Sequence, residues 1–593
     1  MFHRSLIVSA LLFSAALRAQ VSGKLSGSVI DPSGAPVANA NVLVILSGGN
    51  AAAFSGRTNE TGEFVFASIR PETYDLVIEA PGFRKEAVRA VKVAPQQEYS
   101  VGAIKLEVGA VTEIVEVAAA SQVVQLSNAE VSTTLTNDQL RKLPMLNRNP
   151  LTAIYAQAGV TSTNRSNTVI NGLRTSFTNI TLDGINIQDN FIRNNGIDFQ
   201  PNLLLVDQIS EANIGISNNF SGLGGGANQI SYVTPSGNNT LRGGVFFSNR
   251  NNVTSSNTWF NNKDGIARPF LNQNQYGGNL GGPIKKDKLF YYINVESYRQ
   301  RQQTSVNRTI LTDTARRGVF SYLAGGEMRQ VNVLQLAGVQ PDSAIAQLLS
   351  QVPDQSKINN FRVGDSRANA LRNTGGYSFT MRNNRTRDNA TGKLDYVMSE
   401  KMTFAGSFNW NRDIVDRPAD SNDYSTTPKV TNDYAPKVFS ASWRWTPTAS
   451  TTNEFRGGAN LTEAPFITTE KFPDRLVTGL LFSNPINTTL PQGRTTNTYS
   501  LMDNATTVKG AHQMGYGFSV QKIKVRPYDE FGIIPSYALG MSPSNDLALE
   551  ASQLPGAAAV DVNGANNLLA NLAGFLVSGT RSFNVKDRTS GFV

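Results

Sequence analysis

The fold of this chain is decided by a short stretch that reads Asn171-Gly172-Leu173-Arg174 and, a few residues later, Asn179-Ile180-Thr181-Leu182-Asp183-Gly184-Ile185-Asn186. Gly and Asn punctuate this polar stretch at close intervals, and both residues favour tight turns. The pattern predicts short strands joined by tight turns. The segments on either side determine what kind of domain these strands belong to.

The start of the chain has the layout of an export signal. His3 and Arg4 give it a cationic beginning, and an apolar run follows from Ile7 to Leu17. Small residues near Ala19-Gln20 offer a cleavage site. We interpret residues 1–20 as a signal peptide, the alternative being a buried N-terminal helix. No later stretch approaches the ~20 apolar residues of a membrane-spanning helix, so a helical membrane protein is not expected.

Composition argues against several classes of chemistry. The chain has no cysteine and two histidines, His3 and His512. Thiol chemistry is therefore excluded, and a zinc site is not expected because too few nitrogen and sulfur ligands are present. His512 lies in an apparent hairpin turn, where a rim residue is a better interpretation than a catalytic base. We expect no catalytic residues, no metal and no cofactor.

The charge pattern does not favour nucleic acid as a partner. The net charge is +9 and the pI is about 9.4, yet only 17% of residues are charged. The basic residues are scattered, without a dense tract or a nucleic-acid-binding motif. A modest positive field fits attraction to an anionic envelope surface equally well. The abundance of uncharged polar residues is typical of membrane barrels, whose lumen and loops are wet.

Residues 22–107 show short strands with turn signals at regular spacing, which favours a small β-sandwich. This region closely resembles the carboxypeptidase regulatory-like domain. The matching positions are Gly27, Asp31, Gly34, Pro36, Val37, Gly62, Phe64, Tyr74, Leu76, Gly82 and Phe83. The resemblance implies a transthyretin-like, seven-stranded sandwich without peptidase activity.

Residues 238–593 show hydrophobicity with a period of two. Leu289, Tyr291, Ile293 and Val295 alternate with the residues between them, and the alternation recurs at 402–411, 438–445, 452–459 and 514–521. Strands of about ten residues with one apolar and one polar face suit a transmembrane β-barrel. A soluble sandwich gives the same alternation. The export signal and the long polar loops favour the barrel.

The opening motif resembles the plug domain of TonB-dependent outer-membrane receptors. The matching residues are Asn171, Gly172, Arg174, Asn179, Asp183 and Gly184. Flanking motifs resemble the Oar-like branch of that family and stand in the family's order, although Ala158, Pro235 and Asn239 depart from its pattern. The resemblance implies an α+β plug over residues 120–237. The fold class expected for the whole chain is all-β: a sandwich, a plug and a partial or complete antiparallel barrel.

The linker 108–119 holds a candidate TonB box, the segment that such receptors offer to their energy-transducing partner. Its residues are Glu113, Ile114, Val115, Glu116, Val117 and Ala118. A box adds as a strand to the partner, so main-chain hydrogen bonds supply the affinity and sequence demands are loose. The alternative is that this segment is the last strand, or the exit linker, of the sandwich.

The resemblance implies a TonB-dependent receptor in a bacterial outer membrane, with its N-terminal domain in the periplasm. It would carry an unidentified substrate, such as a siderophore, glycan, peptide or protein, inward or outward. Its expected partners are a TonB-type protein and outer-membrane lipid. Two alternatives remain. One is a non-transporting surface protein, an adhesin or carbohydrate-binding scaffold. The other is a secreted glycosidase using Asp183, Asp189 or Asp198, although turn chemistry explains those residues better.

The length of the barrel region raises a difficulty. Residues 238–593 offer ten to fourteen candidate strands, against about 22 in receptors of this family. The final segment, Arg581 to Val593, is polar and looks like the middle of a loop. Because an open half-barrel would leave unpaired backbone groups in lipid, we expect either an incomplete barrel or a smaller barrel that closes with fewer strands.

Overall fold

The structure is a computed structural model. It describes residues 23–93, 98–109, 114–118, 131–143, 145, 148–162, 168–191, 202–217, 226–263, 265–448, 450–468, 474–509, 512–542, 544–583 and 589. The expected signal peptide lies outside these residues. Among the helices within them, none has both the length and the apolar character needed to cross a membrane.

The N-terminal unit is a β-sandwich. Its strands are β1 (Gly23–Ile30), β2 (Asn41–Leu46), β3 (Ala52–Arg57), β4 (Glu63–Ile69), β5 (Thr73–Glu79), β6 (Lys85–Lys92), β7 (Glu98–Lys105) and β8 (Ile114–Ala118). They form one sheet of order β4-β1-β7 and a second of order β3-β2-β5-β6-β8. Alternate residues such as Val42, Val44 and Leu46 point inward and are buried between the two sheets.

The second unit, called the plug below, has its own mixed sheet of order β13-β12-β15-β14-β9. Its strands are β9 (Val131–Thr136), β10 (Val160–Ser162), β11 (Thr168–Ile170), β12 (Thr178–Leu182), β13 (Ile185–Asn186), β14 (Glu211–Ser217) and β15 (Asn228–Val233). Its helices are α1 (Asn137–Lys142) and the 3₁₀ turns Pro150–Ala156, Thr175–Phe177 and Val206–Gln208. Thr136 caps α1 in a reciprocal hydrogen-bonded box with Gln139.

The third unit, called the wall, is one large antiparallel sheet. Nine long strands run side by side: β16 (Arg242–Asn251), β17 (Leu271–Lys285), β18 (Leu289–Leu311), β22 (Arg385–Ser399), β23 (Met402–Asp416), β25 (Lys437–Thr448), β26 (Thr451–Glu463), β29 (Gln492–Lys509) and β30 (His512–Asp529). Three shorter strands, β21 (Thr374–Arg382), β24 (Val430–Tyr434) and β27 (Phe466–Thr468), pair with the ends of these strands.

Alternation along the wall strands separates an apolar outer face from a polar inner face. On β18, Ile293 and Val295 are 49% and 61% exposed, whereas Asn294 and Glu296 are at most 1% exposed. Aromatic side chains such as Phe404 and Trp443 stack on the outer face. This is the pattern of a membrane-spanning sheet, with lipid on one side and protein on the other.

The connections at the two ends of the wall differ in length. At one end β17–β18, β22–β23, β25–β26 and β29–β30 are joined by short turns. At the other end long connections pack into a cap with its own apolar core, which includes Phe320, Leu349 and Leu569. The remaining elements are α2 (Trp259–Lys263), α3 (Asp313–Arg316), β19 (Val319–Ala324), β20 (Glu327–Asn332), α4 (Val333–Ala337), α5 (Ser343–Ser350), β28 (Leu476–Thr478), β31 (Ser536–Leu539), α6 (Ala559–Ala573), β32 (Leu576–Thr580) and the 3₁₀ turns Asn252–Thr254, Gln355–Lys357 and Ala551–Gln553.

The wall is open in the part of the chain that the structure describes. There, β16 pairs only with β17, and β30 pairs only with β29. The sequence suggested ten to fourteen candidate strands in this region, and the large sheet contains twelve, nine long and three short. Further short strands belong to the cap, and β18 alone spans 23 residues and continues well beyond its pairing with β22.

Candidate functional site: the contacts between the plug and the wall

The first turn of the opening motif fixes the plug internally. Asn171 and Gly172 both take left-handed φ, at 47° and 76°. The Asn171 side chain donates a hydrogen bond of 2.7 Å to the carbonyl of Ile216 on β14, and its backbone N–H donates to the carbonyl of Gly159. Arg174, the third motif residue, is exposed. This turn therefore holds β11 to its neighbours within the plug.

The second turn is the two-residue hairpin between β12 and β13. Asp183 and Gly184 have φ of 48° and 81°, and Leu182 pairs with Ile185 across them. Two positive φ values in succession define the hairpin turn that matches strand twist, and such turns favour Asp-Gly and Asn-Gly. The sequence thus presents Asp183 at the tip of a rigid hairpin.

The Asp183 carboxylate accepts hydrogen bonds from both the plug and the wall. One oxygen accepts from the backbone N–H of Thr234 at 2.9 Å. The other accepts from the hydroxyls of Thr234 and of Ser407 on β23, each at 2.6 Å. This buried carboxylate therefore ties the end of β15 to the wall.

The backbone of the same turn also contacts the wall. The Asp183 carbonyl accepts hydrogen bonds from the guanidinium of Arg456 on β26 and from the hydroxyl of Ser440 at 3.3 Å. A Cβ at Gly184 would lie 2.5 Å from Nη1 of Arg456. Glycine is therefore required at position 184 for two reasons: the backbone φ is positive, and the Arg456 guanidinium lies too close for a side chain.

Electrostatics favour the ionised form of Asp183. Burial alone raises its pKa, but the Lys393 ammonium and the hydrogen bonds from Ser407 and Thr234 together outweigh burial and hold the pKa below its ordinary value. Lys393 lies on β22 and donates a hydrogen bond of 2.8 Å to the carbonyl of Thr234. The turn is thus held by a charged carboxylate between cationic wall residues.

A layer of buried amide side chains supports the hairpin from within the plug. Asn179, the remaining motif residue, donates at 2.9 Å to Gln229 and accepts at 2.5 Å from Asn186. Gln188 accepts from the backbone N–H of Ile180 at 3.0 Å. All four amides are at most 7% exposed. They satisfy one another and fix the distance between β12, β13 and β15.

Further polar contacts join the plug to the inner face of the wall. They are Asp189 with Arg494 (2.6 Å), Asn190 with Thr498 (2.8 Å), Asn202 with Asn411 (2.7 Å), Gln208 with Thr391 (2.9 Å), and the Asp207 carbonyl with the Tyr292 hydroxyl (2.6 Å). Four of these five contacts are hydrogen bonds between uncharged groups, and the contact of Asp189 with Arg494 is an ion pair. The plug–wall boundary is accordingly polar over much of its extent.

The plug keeps an apolar core of its own. That core includes Ile154, Ile180 and Ile230, and among the wall residues only Val438 and Met502 join its buried part in the described structure. Apolar burial therefore stabilises the plug itself, while its attachment to the wall depends mostly on hydrogen bonds.

The candidate TonB box is found at an edge of the sandwich. Residues Ile114–Ala118 form β8, which pairs in parallel with β6 in the register Lys85 with Ile114 through Arg89 with Ala118. Glu113 lies outside the described residues. The segment thus occupies the place that the alternative interpretation assigned to it, as the last strand of the sandwich. Its role in binding a partner stays a prediction.

Within the described ranges, no group of three or more His, Asp or Glu side chains is placed to hold a metal ion. His512 pairs with Lys509 where β29 and β30 meet, so it lies at a hairpin end as expected. Asp183 and Asp189 are both engaged in plug–wall contacts. Asp198 lies in a part of the chain that is not described.

Sequence reasoning found the plug side of this site and missed the wall side. Lys393, Ser407, Arg456 and Arg494 were not singled out, because each is an ordinary polar residue on an alternating strand. Their position on the inner face was readable from the alternation. Which of the inner-face residues meet the motif depends on contacts between residues more than 150 positions apart, such as Lys393 with Thr234.

Comparison with known families assigns two parts of the chain. Residues 24–107 match the carboxypeptidase regulatory-like domain. Residues 233–589, more than half of the chain, match the outer membrane beta barrel domain. The chain belongs to the outer membrane beta barrel domain family. The wall of this outer-membrane barrel protein is therefore the membrane sheet that its alternation predicts. A comparison with curated proteins found no match.

Solved structures similar to this outer-membrane barrel protein include the siderophore receptor PirA from Acinetobacter baumannii (12% identity, TM-score 0.43, 68% of this chain and 49% of that one). Others are the outer membrane transporter YddB from Escherichia coli (12%, 0.42, 69% and 50%) and a mutant of the ferric enterobactin receptor PfeA from Pseudomonas aeruginosa (13%, 0.41, 66% and 49%). The chain spans about half the length of these structures.

Proposed function

We propose that this protein is a TonB-dependent receptor that moves a substrate across the outer membrane. The observation that carries the proposal is the plug, a domain with its own apolar core that lies against the inner face of the wall and is attached largely by hydrogen bonds. A net contribution of ~1 kcal/mol for each such bond, with water ready to replace it, allows the plug to shift without unfolding.

Energy coupling is assigned to residues Glu113 to Ala118. Extended main chain in this segment already pairs with β6 along one edge, which supports its ability to act as a strand. A TonB-type partner would bind it by adding a strand of its own, and pulling on the segment would act on the plug that follows it in the chain.

The difference between the two ends of the wall supports an orientation in the membrane. Outer-membrane barrels have short periplasmic turns and longer extracellular loops. The sandwich contacts the short-turn end, since the Ser55 hydroxyl donates to Glu400 in the turn between β22 and β23. The sandwich would therefore lie in the periplasm and the cap outside the cell. The substrate is a siderophore, glycan, peptide or protein, which the receptor moves inward or outward.

The test is direct binding of the full-length protein, in detergent, to the periplasmic domain of a TonB-type protein from the same bacterium. Val115→Pro removes a main-chain donor from β8 and should abolish binding. Val115→Thr keeps the donor and the β-branched shape, and should bind as the wild type does.

If the proline variant binds the partner as well as the wild type does, residues Glu113 to Ala118 are not the TonB box. No binding by the wild type, together with adhesion of cells to glycans or surfaces that depends on the protein, would instead favour a non-transporting surface protein.

A further inference from the structure

One strand of the wall touches both of the other units. On β22, Thr391, Lys393, Asp395 and Val397 point inward at successive alternate positions. Thr391 and Lys393 hydrogen-bond to the plug. Asp395 faces Arg70 of the sandwich at 3.0 Å, and Val397 packs on the sandwich core. Plug and sandwich are therefore anchored to neighbouring positions of a single strand.

The sandwich is docked at this place by apolar and ionic contacts. Phe290, which pairs with Asp395 across β18 and β22, is fully buried and belongs to the core of the sandwich. Arg70 lies between β4 and β5, with its guanidinium 5.8 Å from the Phe290 ring. A second link joins the sandwich directly to the plug, since Lys92 lies 3.2 Å from Glu211.

The ion pair between Arg70 and Asp395 borders a cavity of about 70 Å³. Lys393, Asp183 and Arg456 line the same cavity. Beyond the ion pair itself, Nη2 of Arg70 and the two Asp395 oxygens are buried atoms without a further hydrogen-bond partner among the described residues. The cavity has room for a few water molecules, which can hydrogen-bond to these buried charged atoms. It also leaves space for the Lys393 side chain to change its conformation.

Two cations at this junction, Arg70 and Lys393, are candidate partners for the carboxylate of Asp395. Asp395 is 1% exposed, and a carboxylate so deeply buried needs a cationic partner. Arg70 supplies it while the sandwich is docked. Lys393 is then available to hold the Thr234 carbonyl and, through its charge, Asp183. If Arg70 departs, Lys393 is the nearest inward-facing cation on the same strand, only two positions away.

We propose that this junction is a latch that couples docking of the sandwich to attachment of the plug. Loss of the Arg70–Asp395 pair draws Lys393 from Thr234 to Asp395, and the Asp183 turn then loses its anchor on β22. The latch goes beyond the transport function, because it depends on contacts within this chain and on neither a substrate nor a partner.

The absence of native cysteines allows the latch to be tested with spin labels on introduced cysteines in the full chain in detergent. Glu60 and Phe177 are exposed sites on the sandwich and the plug, and Lys401 is an exposed site in a wall turn. Distances from position 401 to positions 60 and 177 report sandwich docking and plug attachment separately.

Three variants separate a latch from general loosening. Arg70→Met should lengthen and broaden both distances, because Asp395 is left to recruit Lys393. Asp395→Asn should change only the sandwich distance, because Lys393 then stays on Thr234. The double variant should behave like Asp395→Asn, with the plug distance restored to that of the wild type.

Arg84→Met is the matched control, because Arg84 pairs at 3.5 Å with Glu107 within the sandwich and away from the junction. It should change neither distance. A plug displaced as far by Asp395→Asn as by Arg70→Met would overturn the latch. So would a plug left unmoved by Arg70→Met, or a double variant that fails to restore it.

Discussion

At the scale of single residues, a comparison of two glycines of the opening motif distinguishes the effect of backbone strain from the effect of contact with the wall. Gly172 and Gly184 have similar positive φ, at 76° and 81°. A Cβ at Gly172 would meet nothing within 4 Å, whereas at Gly184 it would lie 2.5 Å from Arg456. Alanine at either position costs about 1–2 kcal/mol of stability, because its Cβ disfavours the left-handed backbone.

Gly184→Ala should therefore loosen the plug beyond what strain alone explains, because Arg456 must move away from the Asp183 carbonyl. We expect the amides of Thr178–Leu182 to exchange with solvent deuterium at least about tenfold faster in Gly184→Ala than in Gly172→Ala, which corresponds to ~1.4 kcal/mol. Hydrogen exchange followed by mass spectrometry measures this. Equal exchange in the two variants would mean that the Arg456 contact does not hold the plug.

The same residues illustrate what a sequence can predict about this site. Asn171, Gly172, Asp183 and Gly184 were predicted as turn residues, because turn chemistry is local and left-handed φ favours these residue types. All four take positive φ in the structure. The hydrogen bond from Ser407 to Asp183 joins residues 224 positions apart. No local pattern encodes such a partner, so the wall side of the site needed the structure.

At the scale of elements, alternation predicted the strands well and their assembly less well. The alternating run Met402–Trp410 lies within β23, and the run that begins at Leu289 lies within β18. Period two describes a strand with two different faces wherever it lies. This periodicity cannot distinguish a wall strand, which packs on the plug, from a cap strand such as β19, which packs on α6.

The sandwich is a group of strands that we expect to fold as an independent domain. Nearly all of its buried core lies within residues 25–106, and Phe290 is the one buried residue of that core drawn from elsewhere in the described chain. The isolated segment Gly23 to Leu106 should give a β-type circular dichroism spectrum and a cooperative melt.

Two alanine variants distinguish folding of the sandwich from its docking. Phe64→Ala removes a ring that is 3% exposed within the sandwich and should lower its stability by about 3–5 kcal/mol. Phe290→Ala in the full chain should weaken docking and leave the melt of the sandwich close to that of the isolated segment. A disordered spectrum of the isolated segment would refute its independence.

At the scale of the whole molecule, the plug and the sandwich are both stabilised internally. The plug meets the wall mostly through hydrogen bonds, whereas the sandwich meets it through apolar and ionic contacts. The wall itself has no such independence. Its outer face is apolar, and its described edges, β16 and β30, each leave one side of the strand unpaired. In lipid, an unpaired backbone group costs several kcal/mol, which is why membrane barrels close.

The number of strands restricts how this wall can close. Eight successive antiparallel pairings connect β16 to β30, so the two edge strands run in the same direction. Two copies of the wall placed edge to edge would therefore meet in parallel seams. Closure that is antiparallel throughout requires an odd number of further strands, which gives the even total of bacterial outer-membrane barrels.

Residues 20–593 refolded in detergent should consequently not form a closed barrel. Closed outer-membrane barrels resist SDS until heated, so their mobility on a gel changes with heating. We expect no such change for this chain, and a clear change for a version extended by family sequence that adds an odd number of strands. An extension that adds an even number is the matched control and should behave like the chain itself. A heat-dependent band from residues 20–593 alone would mean that the sheet closes on itself, by pairing β16 with β30 in parallel or with residues that the structure does not describe.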